Sequence, residues 1–441
     1  MNVNTLDTLA REIEAMKPAR PVGRIVRAGR GTILVGGLQT DAALGDLVSV
    51  GSIAGLLRGE IVDISESGAL VLPDGAGDGV RIGDPVTLMG APVIAPSDRW
   101  IGRVIDPYGT PIDGRGLARG PIGRSLRVPA PAATRRRPLG MRISTGLAVF
   151  DTLLPFVRGQ RMGVFSGSGV GKSTLLGQLA RGMEADVAVI ALVGERGREV
   201  REFVDQTLGS EGLAKSVVIA ATSDQPPLTR RRALWSAMSV AEHFRDQGKH
   251  VLFLADSVTR FAEAHREVAL ASGETSSLRG YPPSVAHQIM SLAERAGPGV
   301  IDCGGDITAI FTVLVAGSDM DEPIADILRG VLDGHIVLDR QIAERGRFPA
   351  VDVLRSVSRS LPNACSDAEN ALIRLARQRL GAYDRSEMMI QAGLYTNGSD
   401  PDVDAAIRTW PALDAFVGEA YTDGPAVAFE RLASCLGVAC E

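Results

Sequence analysis

Ser166-Gly-Ser-Gly-Val-Gly-Lys-Ser173 constrains this chain more than any other stretch. An apolar run, Met162 to Phe165, precedes it and reads as a buried strand. Thr174 opens a helix-like stretch in which Leu175, Leu176 and Leu179 share one face. Strand, glycine-rich turn and helix in that order aim backbone N–H groups inward, and the helix adds its positive end. The pattern predicts a cradle for a triphosphate. Gly167, Ser168, Gly169, Val170 and Gly171 would wrap the phosphates, with Lys172 on the β- and γ-phosphates, the Ser173 hydroxyl on magnesium and Thr174 behind them. Ser166 stands where such loops usually begin with Gly, and its small size fits. A dinucleotide fingerprint fails, because Lys172 occupies the place of its third Gly.

The rest of the chain narrows the class. A length of 441 residues suggests two or three domains, and 45% hydrophobic with 22% charged residues describes an ordinary globular protein. A net charge of −5 and 4% aromatics give no support for nucleic-acid binding. Cys303, Cys365, Cys435 and Cys440 form no C-x-x-C pair, so free thiols of a reducing cytoplasm are expected. Neither a secretory leader nor a run long enough to span a membrane is legible. The expectation is a cytoplasmic protein able to visit a membrane surface.

Three regions separate by pattern, behind a short leading element. Leu6, Leu9, Ile13 and Met16 make one helical stripe over residues 1–20, cut off by Pro18 and Pro21; own-domain packing and partner binding are both open. Short β-type runs broken by glycine predict a small β-barrel over 21–95. A domain is expected over 96–360: Pro-, Gly- and Arg-rich loops from Ala91 to Arg137 lead into it, and from Gly140 to about Ser360 strand and helix runs alternate as in a parallel α/β sheet. Its clearest strands are Val187–Val193, Val217–Ala220, His250–Ala255 and Thr308–Val315. From 361 to 441 the pattern is helical, with Leu372, Leu375, Ala376 and Leu380 on a buried face.

Hydrolysis needs a metal anchor, a group to polarise water and positive charge for the transition state. His250 to Asp256 is an apolar run ending in an acid, which nominates Asp256 for the magnesium sphere; a helix-capping Asp is the alternative. Val187 to Glu195 repeats the arrangement and nominates Glu195 as the base, against a solvated charged loop, with Glu199 and Glu202 as rivals on the following helix. Arg196, Arg260 and Arg359 are the candidate cations. Phe348, beside Pro349, is a candidate to stack on adenine, or else core.

These residues make the chain resemble the flagellar type III protein-export ATPases, relatives of the catalytic subunits of rotary ATP synthases. The resemblance runs through Gly102 to Asp106, the phosphate loop, Gly194 to Val200, Leu254 to Phe261, Gly280 to Val285, Glu322 to Asp326, Leu332 to Leu338 and Phe348 to Arg359. Gly393-Leu-Tyr-Thr-Asn-Gly-Ser-Asp-Pro401 is its most export-specific part. It implies a barrel, a RecA-like ATPase core and a C-terminal helical domain, working as a homo-hexamer on ATP and Mg2+. It also implies that Glu195 is the general base, that Asp256 is metal-linked, that Arg196 and Arg260 line the site, and that Phe348 faces adenine where relatives often carry Tyr. Arg359 would enter the neighbouring subunit's site. The N-terminal helix would bind stalk and regulator proteins. Chaperone–substrate complexes would dock on the C-terminal domain, the ring would touch a membrane export gate, and Ser272 to Tyr281 would face the pore. Gly297 to Gly305 departs from the pattern and receives no role. An injectisome version shares every motif. A non-catalytic ring subunit is opposed by Lys172, Glu195 and Asp256 together, and a rotary synthase subunit by the export-type tail.

Overall fold

The computed structural model describes residues 19–438, apart from 30, 54, 278–279, 302–303, 316–319, 321 and 421–422. The stripe Leu6, Leu9, Ile13 and Met16 therefore lies outside the described residues, as do Cys303 and Cys440.

Six strands, β1 (Val22–Ala28), β2 (Ile33–Gly36), β3 (Leu47–Ser52), β4 (Gly55–Ser65), β5 (Gly68–Pro73) and β6 (Pro85–Gly90), close a barrel in the order β1-β2-β5-β4-β3-β6. Every pairing is antiparallel, and β6 returns to β1 at Val22–Thr87. Alternation directs Ile25, Val35, Val48, Val50, Val71 and Val86 into its core.

The barrel is fastened to the next domain by buried charge. Glu60 on β4 accepts hydrogen bonds from Arg127 at 2.6 Å and from Arg231 at 2.7 Å. Both guanidinium groups lie over the Trp235 ring, with centroid distances of 4.6 and 4.9 Å. Burial works to raise the Glu60 carboxyl, but the two arginines hold it below its ordinary value.

Eight strands build the central sheet: β7 (Arg103–Ile105), β8 (Arg161–Ser166), β9 (Val187–Glu195), β10 (Ser216–Thr222), β11 (His250–Asp256), β12 (Asp306–Leu314), β13 (Gly334–Leu338) and β14 (Val351–Ser358). Their order is β14-β13-β8-β12-β11-β9-β10-β7, and Gly297–Pro298 pairs β12 from outside this order. All neighbours from β13 to β7 run parallel, whereas β14 is antiparallel to β13. The wholly parallel sheet expected from alternation is thus extended by an antiparallel edge. The region read as loops also contributes β7, whose three residues are too few for periodicity to reveal.

Between and after the strands come α1 (Lys172–Gly182), α2 (Gly197–Glu202), α3 (Pro227–Asp246), α4 (Val258–Ala271), α5 (Pro283–Arg295), α6 (Pro323–Val331) and α7 (Arg340–Glu344). The sheet is buried on both faces, which explains its nearly unbroken apolar strands. One face packs under α1 and the C-terminal helices, the other under α3, α4, α5 and α6. The tail forms α8 (Asp367–Gln391), α9 (Pro401–Val417) and α10 (Pro425–Leu436). Ser366 and Glu369 close a capping box at the start of α8, and Asp400 caps α9 ahead of Pro401. Ile373, Ala376, Leu413, Phe416 and Leu432 join the same core as Leu175 and Leu179. Among the described residues, no helix is long and apolar enough to cross a membrane.

Candidate active site

In a parallel sheet the strand ends collect chemistry at one edge. Here β8 runs into the phosphate loop, β9 ends at Glu195 and β11 ends at Asp256. β12 separates β8 from β11, so the loop and Asp256 stand two strand spacings apart, roughly 9.6 Å. A lysine and an aspartate side chain reaching toward each other close that gap. Lys172 Nζ donates to Asp256 Oδ1 and lies 3.8 Å from Glu195 Oε1.

Local sequence sets each of these positions. Gly171 has φ +83°, and a Cβ there would come within 3.1 Å of the Phe348 ring, so the loop needs glycine for both conformation and room. Gly194, at φ +70°, sits at a one-residue register shift between Val193 and Glu195. Val193 is core, and strict alternation would send Glu195 to the same buried face. The shift re-aims the carboxylate at the cleft instead. Ser257, not Asp256, caps α4, accepting from Arg260 N. Asp256 is therefore free of the capping role that its sequence position left open.

Thr312 on β12 completes this edge. It is fully buried, and its hydroxyl is 2.8 Å from Asp256 Oδ1 and 3.1 Å from Ala255 O. Sequence reading missed it; the available signal was a hydroxyl in the apolar second half of the strand. Arg230, Glu263, Tyr281 and Arg340 also line the cleft without having been singled out. Tyr281 was named only as the end of a loop expected to face the pore, not as a cleft residue.

The cleft is about 1220 Å³, ample for a nucleoside triphosphate. It is lined by the whole loop, Ser166 to Thr174, together with Glu195, Arg196 and Arg260. A neighbouring recess of about 440 Å³ is bounded by Phe348, Ser168, Gly169 and Arg340. Phe348 is 51% exposed, so it is a surface ring beside the loop, not core. Arg196 pairs with Glu199 at 3.1 Å and Arg260 with Glu263 at 2.9 Å. Arg359 does not line this cleft. It is exposed just beyond β14, donating to Arg329 O at 3.3 Å.

Glu195 has the electrostatics of a tunable base. Burial first, then the negative field of Asp256, raises its carboxyl to about 7, against the pull of Lys172. It also hydrogen-bonds Glu199. Burial favours raising Glu199, but that hydrogen bond and the Arg196 cation keep it below its usual range. Of the two carboxyls, Glu195 is the one pushed up and Glu199 the one held down. A base must be deprotonated to act, so kcat/KM should rise with pH along a limb centred near 7. Glu199→Gln removes the neighbouring negative charge and should move that limb to lower pH. Steady-state rates from pH 5.5 to 8.5 in both proteins check this; an unmoved limb would detach Glu199 from Glu195.

Comparison with known proteins agrees with this geometry. Residues 146–358 match the nucleotide-binding domain of the ATP synthase alpha/beta family, and 365–423 match the C-terminal domain of the EscN ATPase of type III secretion. The flagellum-specific ATP synthase of Caulobacter vibrioides is 46% identical, over 93% of this chain and 94% of its own. The SPI-2 type 3 secretion system ATPase of Salmonella typhimurium is 44% identical, over 85% and 86%. The assembled ATPase EscN of enteropathogenic E. coli, solved with its central stalk EscO, superposes with a TM-score of 0.85 at 38% identity, covering 94% of this chain and all of EscN.

Barrel, phosphate-loop core and helical tail, with a lysine between two carboxylates, define an ATP-hydrolysing P-loop enzyme. At such identity over nearly its whole length, the chain belongs to the flagellum-specific ATP synthase family, within the type III export ATPases.

Proposed function

We propose that this enzyme powers a flagellar type III export apparatus, hydrolysing Mg2+-ATP at the interfaces of a six-membered ring to drive secretion of flagellar proteins. The observation that carries the reading is the convergence of Lys172, Glu195 and Asp256 at one sheet edge, facing a glycine-lined loop. The flagellar relative matches along the full domain order, and Gly393 to Pro401 carries the export-type signature. We take the functional units as 21–95, 96–360 and 361–441.

In this reading the loop amides and Lys172 hold the β- and γ-phosphates, and Phe348 stacks on adenine. Ser173 and Asp256 would hold magnesium. Among the described residues no cluster of three or more His, Cys, Asp or Glu side chains could hold a metal by itself, which suits an ion bound chiefly through phosphate and water. When bound, the ion neutralises charge on the β- and γ-oxygens. Glu195 takes a proton from the attacking water, while Arg196, Arg260 and a neighbour's Arg359 offset the developing charge.

EscN is solved with its stalk, which supports a stalk partner here too; in this reading residues 1–20 bind stalk and regulator proteins. The C-terminal helices are the docking side for chaperone–substrate complexes. The ring works in the cytoplasm, peripherally at the inner membrane beside the export gate. A virulence-type export role is the second reading, favoured by the 44% identity to the SPI-2 enzyme.

The test has two arms. Purified protein should release phosphate from Mg2+-ATP, and Lys172→Ala should abolish release and nucleotide binding together. A non-catalytic ring subunit would instead show equal background rates in both proteins. Expression in a flagellated host lacking its own export ATPase should restore filament export. Activity in vitro without restored export would remove the flagellar assignment.

A further inference from the structure

Ser166 occupies the last position of β8, at the root of the phosphate loop. By strand alternation it shares a face with Met162 and Val164, the face covered by α1. Its side chain is fully buried, and its hydroxyl has no hydrogen-bond partner among the described residues. The backbone around it is satisfied: Val315 N donates to Ser166 O at 3.0 Å, and the residue is in register with Leu314 and Leu338. An unpaired hydroxyl at the end of an otherwise apolar column costs stability. Alanine would pack there without that cost, and this type of loop usually opens with glycine.

Ser166 borders the floor of the cleft, but its hydroxyl has no solvent-accessible surface, so bulk water does not reach it directly. The polar groups able to reorient beside it are those of the loop itself. Each peptide plane carries N–H and C=O on opposite sides, so turning loop amides toward phosphate turns carbonyls the other way. Toward the buried root of the loop, Ser166 is a donor in waiting.

We infer that Ser166 is a positioning residue for nucleotide binding: its hydroxyl donates to a phosphate-loop carbonyl when the loop amides face phosphate. The inference rests on the cleft being the nucleotide site. Its ligand dependence follows from chemistry, since any nucleotide with a β-phosphate would recruit the same loop orientation.

Calorimetric titration of Ser166→Ala with ATP and with ADP, paired with thermal unfolding of the nucleotide-free protein, tests it. Affinity should fall about tenfold for both nucleotides, while the unfolding midpoint of the nucleotide-free protein stays level or rises, because an unpaired buried hydroxyl has been removed. Ser166→Gly, the usual residue of such loops, should lose affinity similarly and covers the case in which alanine disturbs folding. Unchanged affinity in both variants overturns the inference. So does a lowered unfolding midpoint of nucleotide-free Ser166→Ala, which would mean the hydroxyl is partnered without nucleotide. Failure of the unmodified protein to bind ATP would instead overturn the functional reading itself.

Discussion

Replacing Glu195 with Gln should reduce turnover by about 100- to 10,000-fold, the range for losing a positioned general base, with ATP affinity nearly unchanged. Glutamine keeps the shape but cannot take the proton. Lys172, which lies 3.8 Å from Glu195 in the native protein, stays available to phosphate. Single-turnover hydrolysis combined with equilibrium nucleotide binding separates the two quantities. The variant's residual rate should also lose the ascending pH limb near 7, because the group responsible for it is gone. A variant that keeps both its rate and its pH profile would move the base elsewhere on this cleft.

Arg359→Ala should lower turnover by about 1,000- to 100,000-fold, as removal of an arginine finger does, again with little change in affinity. The geometric reason is that Arg359 is exposed outside its own chain's cleft while the cleft itself is open at its edge. An exposed arginine of this kind serves chemistry only if another copy presents it. Activity per subunit should therefore climb steeply with protein concentration. A sharper check is complementation. Mixing Glu195→Gln with Arg359→Ala subunits should regain activity, because some interfaces then combine an intact Glu195 with an intact Arg359. Two inactive proteins that remain inactive when co-assembled would rule out a shared site.

How much of this was legible beforehand depended on the range of the interaction involved. The loop from Ser166 to Ser173 could be read directly, because a strand, a glycine turn and a helix are consecutive and their physics is local. Asp256 could be nominated because an apolar run ending in an acid marks a strand end. Its freedom from capping could not be seen, since that depended on Ser257 taking the N-cap. Thr312 and Arg340 were passed over for a different reason. They reach the site from β12 and α7, which lie far along the chain, and no local pattern announces such a neighbour. The short β7 and the antiparallel β14 escaped because three residues carry no periodicity, and strand direction is decided by which partner is free at the sheet edge.

By itself, the amino-acid order determined the type of the longer elements, the phosphate cradle and the residue chemistry able to serve it. These follow from backbone preferences and apolar spacing within a few residues. Only the tertiary structure decided that β12 lies between the loop and Asp256, that Lys172 bridges to both acids, and that burial beside Asp256 raises Glu195 toward neutrality. Strand order and desolvation depend on the whole packed sheet, so no short window of sequence contains them.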